Sequence, residues 1–99
     1  MAETLRLAVA QLNLLVGDVP GNGERVIAAA CRARDELKAQ VVVFPELTLT
    51  GYPPEDLLLR PALIMQVDEA LRRIERETRG IAVILGHPYQ EHGQLFNAV

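Results

Sequence analysis

The chain has 99 residues, 49% hydrophobic and 23% charged, with a formal net charge of -3, a composition that marks an ordinary folded domain and excludes a disordered one. Lys and Arg are scattered among Asp and Glu, so there is no concentrated basic patch of the kind that nucleic acid or an anionic membrane surface requires. A single cysteine, Cys31, excludes an internal disulfide framework and any C-x-x-C metal or redox pair; with no export signal at Met1–Arg6 and no bilayer-length apolar run, a cytoplasmic location is expected.

The first element is a strand within residues 5–12, rich in Leu, Val and Ala and expected at the centre of a sheet, followed by a loop punctuated by Gly17, Pro20 and Gly21. Asn22 is expected to cap a helix whose apolar positions Val26, Ala30, Ala33 and Leu37 recur at helical spacing, with Arg25, Arg32, Asp35, Glu36 and Lys38 facing water. The β-branched run Val41-Val42-Val43-Phe44 reads as a second strand, and Pro45, which cannot donate a ladder hydrogen bond, places Glu46 at or just beyond its end. Residues 48–60 form a shaped loop containing Gly51, Pro53, Pro54 and the Glu55-Asp56 pair. Pro61 suits a first helical position, and Leu63, Val67, Leu71 and Ile74 mark a second amphipathic helix closed by Gly80.

A third strand spans residues 81–85, Gly86-His87-Pro88 breaks it, and a hairpin is expected over residues 89–99, turning at Glu91-His92-Gly93-Gln94. Strand, helix, strand, helix, strand and hairpin make an α/β order, which predicts a largely parallel sheet carrying helices on its face. A chain this short buries little surface by itself. Its last residues, Leu95 to Val99, read as a strand that stops in mid-pattern, so the chain is expected to be part of a longer domain.

In open α/β sheets, functional groups gather beyond the carboxyl ends of the strands, where loops converge on a crevice. Glu46 lies at such an end. A carboxylate between Pro45 and Leu47 at the mouth of an apolar strand would be partly desolvated, which raises its proton affinity and suits proton transfer; the plainer reading is a glutamate that caps a helix or faces water. Cys31, in mid-helix among alanines, reads as a packing residue rather than a nucleophile. His87 has the chemistry of a base or ligand, but no second ligand of matching spacing accompanies it, and His92 reads as an exposed turn residue. Tyr52 either offers a hydroxyl or ring wall to the crevice near Glu46 or packs over its own loop. Glu55 and Asp56 fit helix capping better than a metal site, and Gly21 and Gly23 make no phosphate-binding loop.

Several motifs together carry a family resemblance: Leu7-Ala8-Val9-Ala10-Gln11-Leu12-Asn13, Gly17-Asp18, Gly21-Asn22, Val43-Phe44-Pro45-Glu46-Leu47 and Thr50-Gly51-Tyr52-Pro53. The chain resembles the start of a carbon-nitrogen hydrolase of the nitrilase superfamily. Pro54-Glu55-Asp56-Leu57-Leu58 and Gly86-His87-Pro88 are similar, more narrowly, to the glutaminase domain of glutamine-dependent NAD synthetases.

The resemblance implies an α-β-β-α sandwich and a Glu-Lys-Cys triad in which Glu46 matches the glutamate, acting as base toward the thiol and then as proton donor to departing ammonia. It places Tyr52 on a loop lining the glutamine pocket. The family's lysine and cysteine lie in segments beyond Val99, and neither Lys38 nor Cys31 matches them, so the chain alone is expected to be inert. The implied partners are glutamine, the rest of the parent chain and a second copy in a homo-oligomer. No cofactor and no metal is expected within these residues, while ATP and Mg belong to the parent's synthetase half. The implied reaction is hydrolysis of glutamine, with ammonia passed to ATP-dependent amidation of nicotinic acid adenine dinucleotide. The alternatives are a free-standing amidase of the same family and a non-catalytic module that completes a sheet.

Overall fold

A computed structural model of the chain describes residues 4–15, 17–45, 48–49, 61–91 and 94–98. Its elements follow the expected order: β1 (Leu7–Val9), α1 (Val19–Asp35), β2 (Val41–Val43), α2 (Pro61–Glu77), β3 (Ala82–Ile84), β4 (His87–Glu91) and β5 (Gln94–Ala98). The strands β1, β2 and β3 form a parallel sheet in that order, with Ala8, Val42 and Val83 in register. Among the described residues the second strand is therefore the middle one, with the first at the edge of this three-stranded piece. In β1, Leu7 and Val9 are 53% and 70% exposed, on the sheet face opposite the helices.

Alternation explains the two faces. Ala8, Val42 and Val83 point to the helical side, where Val42 is buried in the core cluster and the other two pack against it. Leu7, Val9, Val41, Val43, Ala82 and Ile84 occupy the other side, and Leu7, Val9 and Ile84 are exposed there. Exposed apolar strips of this kind are common where a surface packs against another.

Helix α1 begins earlier than the sequence reading placed it. Asp18, not Asn22, is the N-cap: its carboxylate accepts the Gly21 N–H at 3.1 Å, and Pro20 sits in the first turn, where a missing N–H costs nothing. Asn22 is instead a fully buried residue inside the helix. Val26, Ala30 and Ala33 are buried as expected, but Leu37 is 53% exposed because the helix ends at Asp35 and the chain reverses through Lys38 at φ +56°. Arg25, Arg32, Asp35, Glu36 and Lys38 do face solvent.

Helix α2 starts at Pro61 and buries Leu63, Val67 and Ile74, with Leu71 half-buried. These side chains meet Val26, Ala30 and Ala33 of α1 over Val42, and each fully buried valine contributes about 1.5–3 kcal/mol to the fold. The ends of the two helices are tied together: Arg34 donates to the Arg79 carbonyl at 2.7 Å and the Cys31 thiol to the Glu77 carbonyl at 3.5 Å. Gly80 then turns the chain at φ +90°, which glycine alone adopts without strain.

The antiparallel hairpin pairs His87 with Ala98 and Glu91 with Gln94. Gly86 does separate it from β3, but β4 resumes at His87, two residues earlier than expected. The expected turn residues His92 and Gly93 lie outside the described residues. No helix among the described residues is long and apolar enough to cross a membrane.

Candidate functional site

The carboxyl ends of the three parallel strands are locked to one another by backbone hydrogen bonds that continue past the ladder. Ala10 N–H donates to the Val43 carbonyl at 2.9 Å, and Phe44 N–H donates to the Ile84 carbonyl at 2.8 Å. Phe44 is buried, so the chain enters Pro45 from a fixed point. Four residues after Phe44 it is fixed again: Thr48 N–H donates to the Gly86 carbonyl at 2.9 Å, and the Thr48 hydroxyl donates to the Pro45 carbonyl. Thr48 and Leu49 are fully buried.

Glu46, the expected acid/base residue, and Tyr52, the expected pocket residue, lie outside the described residues, as do Glu55 and Asp56. What the structure defines is the frame on either side of Glu46: Pro45 before it, Thr48 and Leu49 after it.

Sequence reasoning missed the third part of that frame. Asn22 Nδ2 donates to the Leu15 carbonyl at 2.7 Å and to the Leu49 carbonyl at 3.0 Å, while Oδ1 accepts the Leu15 N–H at 3.1 Å. One buried amide thus joins the loop before α1, the first turn of α1 and the segment that follows Glu46. A signal for this was present, because Asn22 interrupts the stripe of Val19, Val26, Ala30 and Ala33 at helical spacing, and a polar residue there needs buried partners.

Of the other described residues singled out from the sequence, Cys31 lies away from this frame, whereas His87 directly follows Gly86, which belongs to it. Cys31 is half-buried on α1 with its thiol directed to the last turn of α2, as befits packing. His87 is half-buried and lines a groove of about 660 Å³ between α2 and β3, walled mainly by Leu71, Ile74, Ile81 and Val83. Among the described residues no three His, Cys, Asp or Glu side chains come together to hold a metal ion.

The shifted titrations belong to the helix surfaces. The hydrogen bond from Arg34 holds the Asp35 carboxyl below its ordinary range, and the same bond raises the Arg34 guanidinium. Arg73 is raised chiefly by its hydrogen bond to Glu24, with Glu77 adding to it, and this pairing links α2 to α1.

The Carbon-nitrogen hydrolase family model matches residues 6–99. The glutamine-dependent NAD(+) synthetase of Xanthomonas campestris pv. campestris (strain 8004) is 47% identical over 97 residues, which cover 98% of this chain and 18% of that protein. Among solved structures, the glutamine-dependent NAD+ synthetase from Acinetobacter baumannii superposes with a TM-score of 0.87 at 34% identity, over 94% of this chain and 18% of that one. An amidase from Nesterenkonia sp. superposes with a TM-score of 0.74 at 28% identity, over 93% of this chain and 40% of that one. The chain therefore spans 15–18% of the length of the synthetases it matches. With a family match over nearly all its residues, and the folds of its structural neighbours, this chain belongs to the carbon-nitrogen hydrolase family.

Proposed function

We propose that this chain is the amino-terminal part of the glutaminase domain of a glutamine-dependent NAD synthetase, with Glu46 as the acid/base carboxylate of amide hydrolysis. The observation that carries the proposal is the 47% identity to such a synthetase over 98% of this chain, with Glu46 following in sequence on Phe44-Pro45, which leave the middle strand of the three described parallel strands.

In the proposed reaction a cysteine outside these residues attacks the amide carbon of glutamine while Glu46 accepts the thiol proton. The C–N bond then breaks, Glu46 returns the proton to the departing nitrogen, and ammonia leaves a thioester. Water adds to that thioester, releasing glutamate and restoring the thiol, with Glu46 again accepting and returning a proton. Tyr52 is assigned to the wall of the glutamine pocket. Ammonia then serves an ATP- and Mg-dependent amidation in the synthetase part of the parent, where it converts nicotinic acid adenine dinucleotide to NAD.

The exposed strip of Leu7, Val9 and Ile84 supports a role as one half of a sandwich whose other half comes from the rest of the parent chain. A cytoplasmic homo-oligomer is the assembly we propose for the parent. A free-standing amidase is less well supported, since the likeness to the Nesterenkonia amidase is weaker in both TM-score and identity than that to the Acinetobacter synthetase. The test is to supply the complete enzyme with glutamine and with simple aliphatic amides and to follow ammonia release. Preference for glutamine, stimulated by ATP and the dinucleotide acceptor, is the expected result; preference for aliphatic amides without that stimulation would refute it.

A further inference from the structure

We infer that Asn22 is a positioning residue for the acid/base carboxylate, acting with Thr48 to hold the backbone on both sides of Glu46. This rests on the reading of Glu46 given above.

Only two residues, Glu46 and Leu47, separate Pro45 from Thr48. Pro45 follows a buried Phe44 whose N–H is bound to β3, and Thr48 is bound both to the Pro45 carbonyl and to Gly86 beyond the end of β3. Asn22 secures the next residue, accepting nothing from it and donating to its carbonyl at 3.0 Å. The same amide is held by two bonds to Leu15, and Arg25 donates to its oxygen at 3.4 Å, so its orientation is set from the α1 side.

A buried asparagine is a poor choice for helix stability, since Asn has low helical propensity and its amide must be desolvated. An aliphatic residue would continue the stripe of Val19 and Val26 and pack on the core. What the amide supplies, and an aliphatic side chain cannot, is a polar link between the first turn of α1 and Leu49, 27 residues away and three past Glu46 in sequence. Proton transfer to and from a thiol and a departing amine depends steeply on placement, and a displacement near 1 Å costs about 100-fold in rate.

The test uses the complete enzyme with Asn22→Ala, Thr48→Val and Glu46→Gln. Thr48→Val keeps the shape and the backbone bond to Gly86 while deleting the hydroxyl bond to Pro45, so it reports even where Asn22→Ala fails to fold. Both positioning variants are expected to lower kcat for glutamine hydrolysis by about 10- to 100-fold with KM changed less than about threefold, to move the acid limb of the pH profile, and to leave ammonia-driven synthesis unchanged. A purely structural role would lower both activities together and leave the pH limb in place. Should Glu46→Gln retain glutamine hydrolysis, the reading of Glu46 fails. Should Glu46→Gln be inactive while both positioning variants hydrolyse glutamine at the native rate, the positioning inference alone fails.

Discussion

Replacing Gly21 by Ala has a different consequence with and without Asp18, because the two residues meet in the first turn of α1. A Cβ on Gly21 would overlap the Asp18 carboxylate, lying 2.7 Å from Cγ and 2.9 Å from Oδ1. Asp18 would swing away and forfeit the cap it makes on the Gly21 N–H, a loss of about 1 kcal/mol. Against this, alanine in a helix is better than glycine by about 0.5–1 kcal/mol, so Gly21→Ala alone should be close to neutral or slightly destabilising. In an Asp18→Ala background there is no cap to lose, and the same change should stabilise by the full 0.5–1 kcal/mol or so. The Asp18–Arg25 pair, at 4.0 Å with both side chains more than 40% exposed, adds little to this balance. Urea unfolding of the four proteins, followed by circular dichroism, gives the coupling directly, and about 1 kcal/mol is expected. Additivity within about 0.3 kcal/mol would show that Asp18 does not cap this helix through Gly21.

The exposed strip of Leu7, Val9 and Ile84 should make the isolated chain self-associate, and Val9→Lys with Ile84→Lys should shift it toward monomer in sedimentation velocity; unchanged association would show that another surface is responsible. Gly80→Ala should cost about 1–2 kcal/mol in thermal unfolding, because its φ of +90° strains any L side chain and its Cβ would press on Arg34 Cδ at 3.3 Å; a neutral result would mean that the turn relaxes. The Asp35 carboxyl is held below its ordinary value of 3.8 in the folded chain, so its contribution is complete above that value and is lost as pH falls through the lower folded one. Asp35→Asn should therefore flatten the acid end of the stability profile, modestly because the group is exposed, and an unaltered profile would contradict the Arg34 pairing.

Local signals in the sequence were enough for most of the fold. The β-branched Val41–Val43 run ended by Pro45, and the stripe of Leu63, Val67, Leu71 and Ile74 opening on Pro61, each state their element within a few residues, and both appear as expected. The start of α1 was misread because Asp18 and Asn22 are both good caps and Pro20 looks like a loop residue until it is placed in a first turn. Leu37 continues the helical spacing in sequence, but the left-handed Lys38 ends the helix before that spacing can act. Whether β1 sits at the centre or the edge depends on pairing partners tens of residues away, and its apolar residues report a covered face as readily as a central position. The frame around Glu46 is likewise long-range: a hydrogen bond from Asn22 to Leu49 leaves no short motif, only an amide where an aliphatic side chain would otherwise fit.

The role of Glu46 is tested most directly by comparing glutamine-driven with ammonia-driven NAD synthesis in the complete enzyme carrying Glu46→Gln. With Glu46 as the acid/base residue, glutamine should no longer support synthesis, by a factor of about 1,000 or more, while added ammonia supports it at the native rate. Equal loss of both activities, or glutamine-driven synthesis that survives the substitution, would contradict it.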